Sequence, residues 1–122
     1  MTTELYDLTA LELSNAYRAR ELSPLEVTRA VLARIEACEP KLNAMYIVDR
    51  EGALVQASAA ETRWQKGNPL SQLDGVPITI KDLIATRGDP APVGTAAADF
   101  TPAAVDHPPA ARSGCGRPAG IR

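Results

Sequence analysis

The stretch Leu73-Asp74-Gly75-Val76-Pro77-Ile78-Thr79-Ile80-Lys81-Asp82 decides how the chain is read. Val76, Ile78 and Ile80 alternate with Pro77, Thr79 and Lys81, the period of a strand with one apolar face. The spacing predicts a short strand over 76–80. Asp74-Gly75 supplies the turn before it. Pro77 has no N–H to give to a ladder, which puts it at the strand's start or on an edge. Lys81 shares the face of Thr79, opposite the aliphatic trio, and alternation turns Asp82 to the other side. On residue type alone, a lysine ending a strand is an ordinary solvated charge.

Three helices are legible upstream. The first opens on Thr9 with Glu12 three residues on, a capping box in which hydroxyl and carboxylate each take a free backbone N–H. Leu8 and Leu13 stand where a hydrophobic staple would close, and the helix is expected to reach Arg20. Ser23-Pro24-Leu25-Glu26 opens the second, with a capping serine, a proline at the first helical position and a glutamate at the third. Its apolar stripe is Leu25, Val31, Leu32 and Ile35, with Thr28 in line, and Pro40 is expected to end it. Met45-Tyr46-Ile47-Val48 then suggests a short strand or an extended link. Asp49 caps a third helix over about Arg50 to Lys66, with Ala53, Leu54, Ala57 and Ala60 inside, Trp64 closing the stripe, and Gly67-Asn68-Pro69 stopping it.

Residues 9–66 alone would make a three-helix bundle, but its stripes are short and the third is alanine-rich. At ~25 cal/mol per Å² of buried apolar area, against ~1.5 kcal/mol of conformational cost per residue, such a bundle is not expected to stand alone.

Composition divides the chain further. Gly and Pro together number seven in residues 1–87 and eleven in residues 88–122, so the last 35 residues are expected to be loop. A structureless loop of that length is uncommon in a compact domain and points to a larger unit or to disorder. Formal net charge is −2, giving no electrostatic reason for nucleic acid or anionic lipid as partner. No apolar run approaches a membrane span, and the acidic start MTTELYDL does not have the form of a signal peptide. A cytoplasmic protein is the expectation. Cys38, Cys115 and His107 fall short of the ligands a zinc site needs, so no metal is expected. Nothing in the pattern calls for a cofactor, and a Cys38–Cys115 disulfide has no support in a reducing compartment.

With these residues in view, the string Leu73-x-Gly75-Val76-Pro77-x-x-x-Lys81-Asp82 resembles the N-terminal motif of the amidase signature hydrolases. Leu22-Ser23-Pro24-Leu25-Glu26 and Asn43-Ala44 are similar to that family's opening helices. Thr86-Arg87-Gly88 and Gly94-Thr95 resemble the loop after its lysine, and Phe100-Thr101-Pro102 with Asp106 the approach to its next helix. The likeness runs over about residues 7–112. It implies an α/β fold, helices packed on a mixed sheet, of which this chain is the N-terminal part: mainly helical with one or two short strands. It implies a small-molecule amide substrate, with carbon–nitrogen bond cleavage by a Ser–cis-Ser–Lys triad in which Lys81 is the lysine. The residue type suits the role. A free lysine, pKa ~10.4, is no base at neutral pH, and burial lowers that value by disfavouring the ammonium. A neutral amine could then draw a proton through one serine and activate the other for attack on the amide carbon. An ion pair with Asp82 would undo this.

The resemblance also implies a Gly/Ser-rich segment bearing both serines, and no such segment occurs here. Ser14, Ser23 and Ser58 belong to helices or their starts, Ser71 precedes the turn, and Ser113-Gly114-Cys115-Gly116 does not have the doubled serine. The backbone oxyanion donors expected with the nucleophile loop are missing too. The expectation is an amidase portion over 1–112, inactive alone, and an irregular non-family tail over 113–122. Where the family continues into a helix resembling Leu-Arg-Glu-Ala-Gly, the chain reads Ser113 to Gly120. Codons can be chosen for that stretch, TCC GGC TGC GGG AGG CCG GCG GGC, that read from their third base spell Arg-Leu-Arg-Glu-Ala-Gly. A frameshift near Arg112 is therefore expected.

The alternative is a small helical interaction module or partner subunit with no catalysis of its own, docking on a full-length amidase through exposed strand edges; self-association through exposed apolar surface is also expected. His107 and Cys115 have no orienting third group for a nucleophilic pair. Trp64, beside Arg63 and Lys66, reads as a helix-end anchor, Glu36 and Glu39 as a solvated helix end, and Asp89 and Asp99 as loop residues. Substrate-binding residues are not legible.

Overall fold

Each of the first three helices starts where a side chain takes a backbone N–H that the helix cannot satisfy itself. The computed structural model describes residues 4–112. After a short 3-10 turn at Leu5–Asp7, α1 spans Ala10–Ala19, with both halves of the Thr9–Glu12 capping box in place. The hydroxyl and N–H of Thr9 each donate to Glu12 Oε2 at 2.7 Å, and these bonds hold the Glu12 carboxyl below its ordinary pKa. α2 spans Pro24–Leu42, its Glu26 N–H donating to Ser23 Oγ at 3.1 Å. α3 spans Arg50–Gln65, its Gly52 N–H donating to Asp49 Oδ1 at 3.0 Å. A last short helix, α4, covers Pro108–Arg112 inside the stretch expected to be loop. Pro108 has the fixed φ of a first helical residue, and Ala110, fully buried, gives the turn a foothold.

Pro40 does not end α2, which runs on to Leu42 and stops at Asn43 in the left-handed region. In the final turn a proline removes a single N–H, and the Glu36 at the other end of that missing bond is exposed to water. The left-handed residue does the terminating, with Asn43 N–H donating to Glu39 O at 2.8 Å. α1 ends the same way at Arg20, where Glu21 N–H reaches back to Ala16 O. Past α3 the left-handed residue is Gly67, as its sequence suggests.

α2 packs chiefly against α3. One cluster joins Leu13, Tyr17 and Val27, with Leu8, Leu22, Val31, Trp64 and Val76 around it. A second joins Leu32 and Ala53, with Val31, Ile35, Met45 and Leu54. Val27 and Pro24 are among the most deeply buried side chains, yet the expected stripe of α2 held neither. Ala53, Ala57 and Ala60 are buried as expected, and their small size lets α3 lie close to its neighbours.

The strand expected over 76–80 is absent. The segment has neither helical nor ladder hydrogen bonds, and among the described residues no strand forms. A parallel bridge between Arg87 and Ala103 is isolated. Alternation makes a backbone extend; a strand also needs a partner row, and none of the described residues supplies one. Met45–Val48 is a link rather than a strand, with a bend at Tyr46 and a single bridge at Val48.

Candidate active site

The approach to Lys81 is built on a tight turn pinned to the helices. Val76 N–H donates to Leu73 O at 3.1 Å, closing the turn around Asp74 and Gly75. Gly75 has φ +81°, and a Cβ there would stand 2.7 Å from Pro24 Cβ and 2.9 Å from Ala60 Cβ. Only glycine serves both the dihedral and this close approach to α2 and α3.

Side chains from two helices then hold the turn. Arg63 grips Asp74 with a fork, Nε to Oδ2 at 2.7 Å and Nη2 to Oδ1 at 2.6 Å, while Leu70 N–H donates to Oδ2 at 3.0 Å. The Asp74 side chain is 6% exposed. Burial opposes its charge, but the Arg63 bonds, the Leu70 N–H and the guanidinium charge outweigh it, and the carboxyl titrates below its ordinary value. Trp64 Nε1 donates to Asp74 O at 2.9 Å, and Tyr17 Oη donates to Gly75 O at 3.4 Å. Burial pushes the Tyr17 phenol up, so it stays a donor throughout the physiological range. The rings of Tyr17 and Trp64 meet in a tilted pair, 6.1 Å between centroids. Ser14 Oγ donates to Gln72 O at 2.5 Å.

Beyond the turn, Val76 packs on the core and Pro77, Ile78 and Thr79 run beside a groove lined by Leu5, Leu8, Leu13 and Val31. Lys81 follows, exposed, with no hydrogen bond or ion pair to its ammonium among the described residues. The dry setting expected of it is not formed by these residues. Asp82 is occupied elsewhere, accepting from Gly94 N–H, so it does not neutralise Lys81. Val93, just before, sits at φ +53°, a strained conformation for a β-branched residue.

No serine is hydrogen-bonded to Lys81 among the described residues. Ser14 bonds to the turn, Ser23 caps α2, Ser58 lies on the exposed side of α3, and Ser71 Oγ accepts from Leu73 N–H. Ser113, Cys115 and the expected frameshifted tail lie outside the described residues. Cys38 is a free thiol. Among the described residues there is no group of three metal-ligand side chains, and no helix is long and apolar enough to cross a membrane.

Several polar residues acquire definite partners. Glu36, expected to be only solvated, pairs with Arg50 across α2 and α3 at 2.8 Å, and Glu39 accepts from Met45 N–H at 2.8 Å. Asp99 accepts from both the N–H and the hydroxyl of Thr101, and Thr86 Oγ1 donates to Asp89. His107 accepts at Nδ1 from Ala85 N–H, 3.2 Å. Trp64 is the helix-end anchor its position suggests. The Arg63–Asp74 fork is the main feature the sequence did not yield: the two lie eleven residues apart, on either side of Gly67-Asn68-Pro69.

The family model described as Amidase matches residues 26–108, a span that contains Arg63, Trp64, the turn they hold and Lys81 but not α1. The chain belongs to the Amidase family. It is 43% identical over 93 residues to a glutamyl-tRNA(Gln) amidotransferase subunit of Streptomyces coelicolor, a match covering 76% of this chain and 19% of that protein. Among solved structures, a bacterial aryl acylamidase of the amidase signature family superposes with a TM-score of 0.79 at 29% identity, over 98% of this chain and 25% of that one. Fatty acid amide hydrolase superposes with a TM-score of 0.70 at 26% identity, over 77% and 17%. The chain thus spans about a fifth of the length of the curated relatives it matches. Its fold is the N-terminal part of the α/β amidase signature fold, with helices as the only regular elements among the described residues.

Proposed function

We propose that the chain is the lysine-bearing N-terminal portion of an enzyme that cleaves the carbon–nitrogen bond of a small-molecule amide. Residues 1–112 are the amidase portion in this reading, and 113–122 depart from it. Lys81 is the triad lysine and acts as base once buried against serines this chain does not itself contribute. Desolvation would then drive its amine toward the neutral form, able to take a proton through a bridging serine. The chain by itself is inactive for want of a nucleophile, and needs no metal or cofactor. The proposed setting is the cytoplasm. Exposed Leu70, Leu73, Ile78 and Leu83 flank or lie on the segment leading to Lys81 and favour association, either with complementary polypeptide or with a second copy.

The observation that carries this reading is the string Gly75-Val76-Pro77-x-x-x-Lys81-Asp82 inside the matched span, borne on a turn that two helices hold rigidly. The test is a chimera. Residues 1–112 replace the matching segment of an intact amidase such as the bacterial aryl acylamidase, and amide hydrolysis is followed. The active chimera should lose at least a thousandfold in kcat on Lys81→Met. Undiminished turnover by that variant would remove Lys81 from the chemistry. Lys81-dependent turnover by the isolated chain would equally overturn the reading, because it would place a nucleophile within these residues.

A further inference from the structure

We propose that Arg63 and Asp74 form a positioning pair that sets the direction in which the polypeptide delivers Lys81; the proposal rests on the assignment of Lys81 above. Val76–Ile80 has no ladder among the described residues, so its course is set by the turn from which it starts and by the side-chain packing of Val76 and Pro77–Thr79 beside Leu8, Leu13 and Val31. At that point consecutive residues are fixed from two sides. The Asp74 carboxylate accepts three hydrogen bonds, two from Arg63 and one from Leu70 N–H. The Asp74 carbonyl accepts from Trp64, and the Gly75 carbonyl from Tyr17.

The fork contributes something the other contacts cannot. A single hydrogen bond leaves rotation about its own axis, whereas two parallel bonds between planar groups fix the orientation of the carboxylate and, through one Cβ, of the turn. Leverage then amplifies any error. Six residues from Gly75 to Lys81 reach at most about 20 Å, so a rotation of about 10° at the turn displaces the lysine by up to roughly 3.5 Å. A displacement near 1 Å is already enough to cost a catalytic group much of its effect. Hydrophobic contacts alone would bury the turn but leave its orientation adaptable; a directional ion pair on a buried carboxylate favours one arrangement.

The test uses the full chain with Cys38→Ser and Cys115→Ser, carrying spin labels at Ser58→Cys on α3 and Thr79→Cys on the extended segment, both exposed positions that spare Lys81. A second pair, Ala33→Cys and Ser58→Cys, reports on α2 against α3. In the parent, both pairs should give one narrow distance distribution. Asp74→Asn and Arg63→Gln should shift or broaden the 58–79 distribution by several ångströms while leaving 33–58 and the helical circular dichroism unchanged. Arg63→Lys, which keeps the charge but loses the fork, should fall between parent and Arg63→Gln, and it stands in should the stronger variants not fold. An unchanged 58–79 distribution in the folded variants overturns the proposal. So does equal broadening of both pairs, which would make the fork a general fold contact. None of these outcomes depends on amide turnover. A failure of Lys81→Met in the chimera would thus sink the functional assignment without altering the distances.

Discussion

The stretch from Ala10 to Gln65 and the stretch from Val76 to His107 satisfy their backbones by different means. In the helices of the first, most N–H groups find a carbonyl four residues back, and short side chains serve the starts: Thr9, Ser23 and Asp49. In the second, partners are scattered. Asp82 takes Gly94 N–H, Asp106 takes Arg87 N–H, Asp99 takes Thr101 N–H, and His107 takes Ala85 N–H. With Thr95, which takes Ala97 N–H, five side chains work beside a few backbone bonds such as Gly88 N–H to Ala103 O and His107 N–H to Ala85 O. A helix is closed by its own sequence, while an extended segment waits on polypeptide far from it in the chain.

The sharpest way to break this contrast is at its hinge with the core. Tyr17→Ala removes a ring that is 1% exposed and should cost about 4 kcal/mol. Urea denaturation followed by circular dichroism measures that cost. Hydrogen exchange at 82–106 in the same variant tells whether the extended stretch depends on the helices. Asp74→Ala leaves Arg63 and Leu70 N–H without their acceptor, and should cost about 3 kcal/mol near neutral pH. The folded Asp74 carboxyl titrates below its unfolded value. Its contribution is therefore full above the ordinary carboxylate range, ~3.9, and fades as pH falls through the folded value. The gap between parent and variant should close on acidification; a gap that widened would contradict the ion pair.

Gly75→Ala brings a Cβ to 2.7 Å from Pro24 and should cost about 2 kcal/mol, read as a lowered urea midpoint. Val93→Gly sharpens the comparison from the other side. It relieves a positive φ at an exposed side chain, and should gain about 1 kcal/mol, read as a raised midpoint. Lys81→Met should change the stability of this chain by less than about 0.5 kcal/mol, since the side chain is exposed. A larger loss in thermal denaturation would mean that the lysine supports the fold.

Much of the helical half was legible because capping chemistry is local. Thr9 with Glu12, Ser23 with Pro24, and Asp49 mark three starts that the structure places at the same residues. The end of α2 was less legible. Proline is the stronger signal in sequence, yet Asn43 terminates the helix, because the final turn loses little to a missing N–H. Val27 escaped the stripe because its burial depends on where α1 lies. The site was half legible. Gly75 and Pro77 stood out by type and spacing and Lys81 by the resemblance of the string it ends, whereas the Arg63–Asp74 fork depends on how the 67–73 connection folds back, which no period in the sequence encodes.

By itself, the sequence determined three capped helices, a glycine turn, an extended run ending in a lysine, and membership in the amidase signature fold. Tertiary structure alone decided that the turn is clamped by Arg63, Trp64 and Tyr17, that the extended run has no ladder among the described residues, and that Lys81 stands in water. Residues a few positions apart fix their own geometry through the covalent chain; a ladder, an ion pair across a connection and a desolvated amine all require groups brought together from afar.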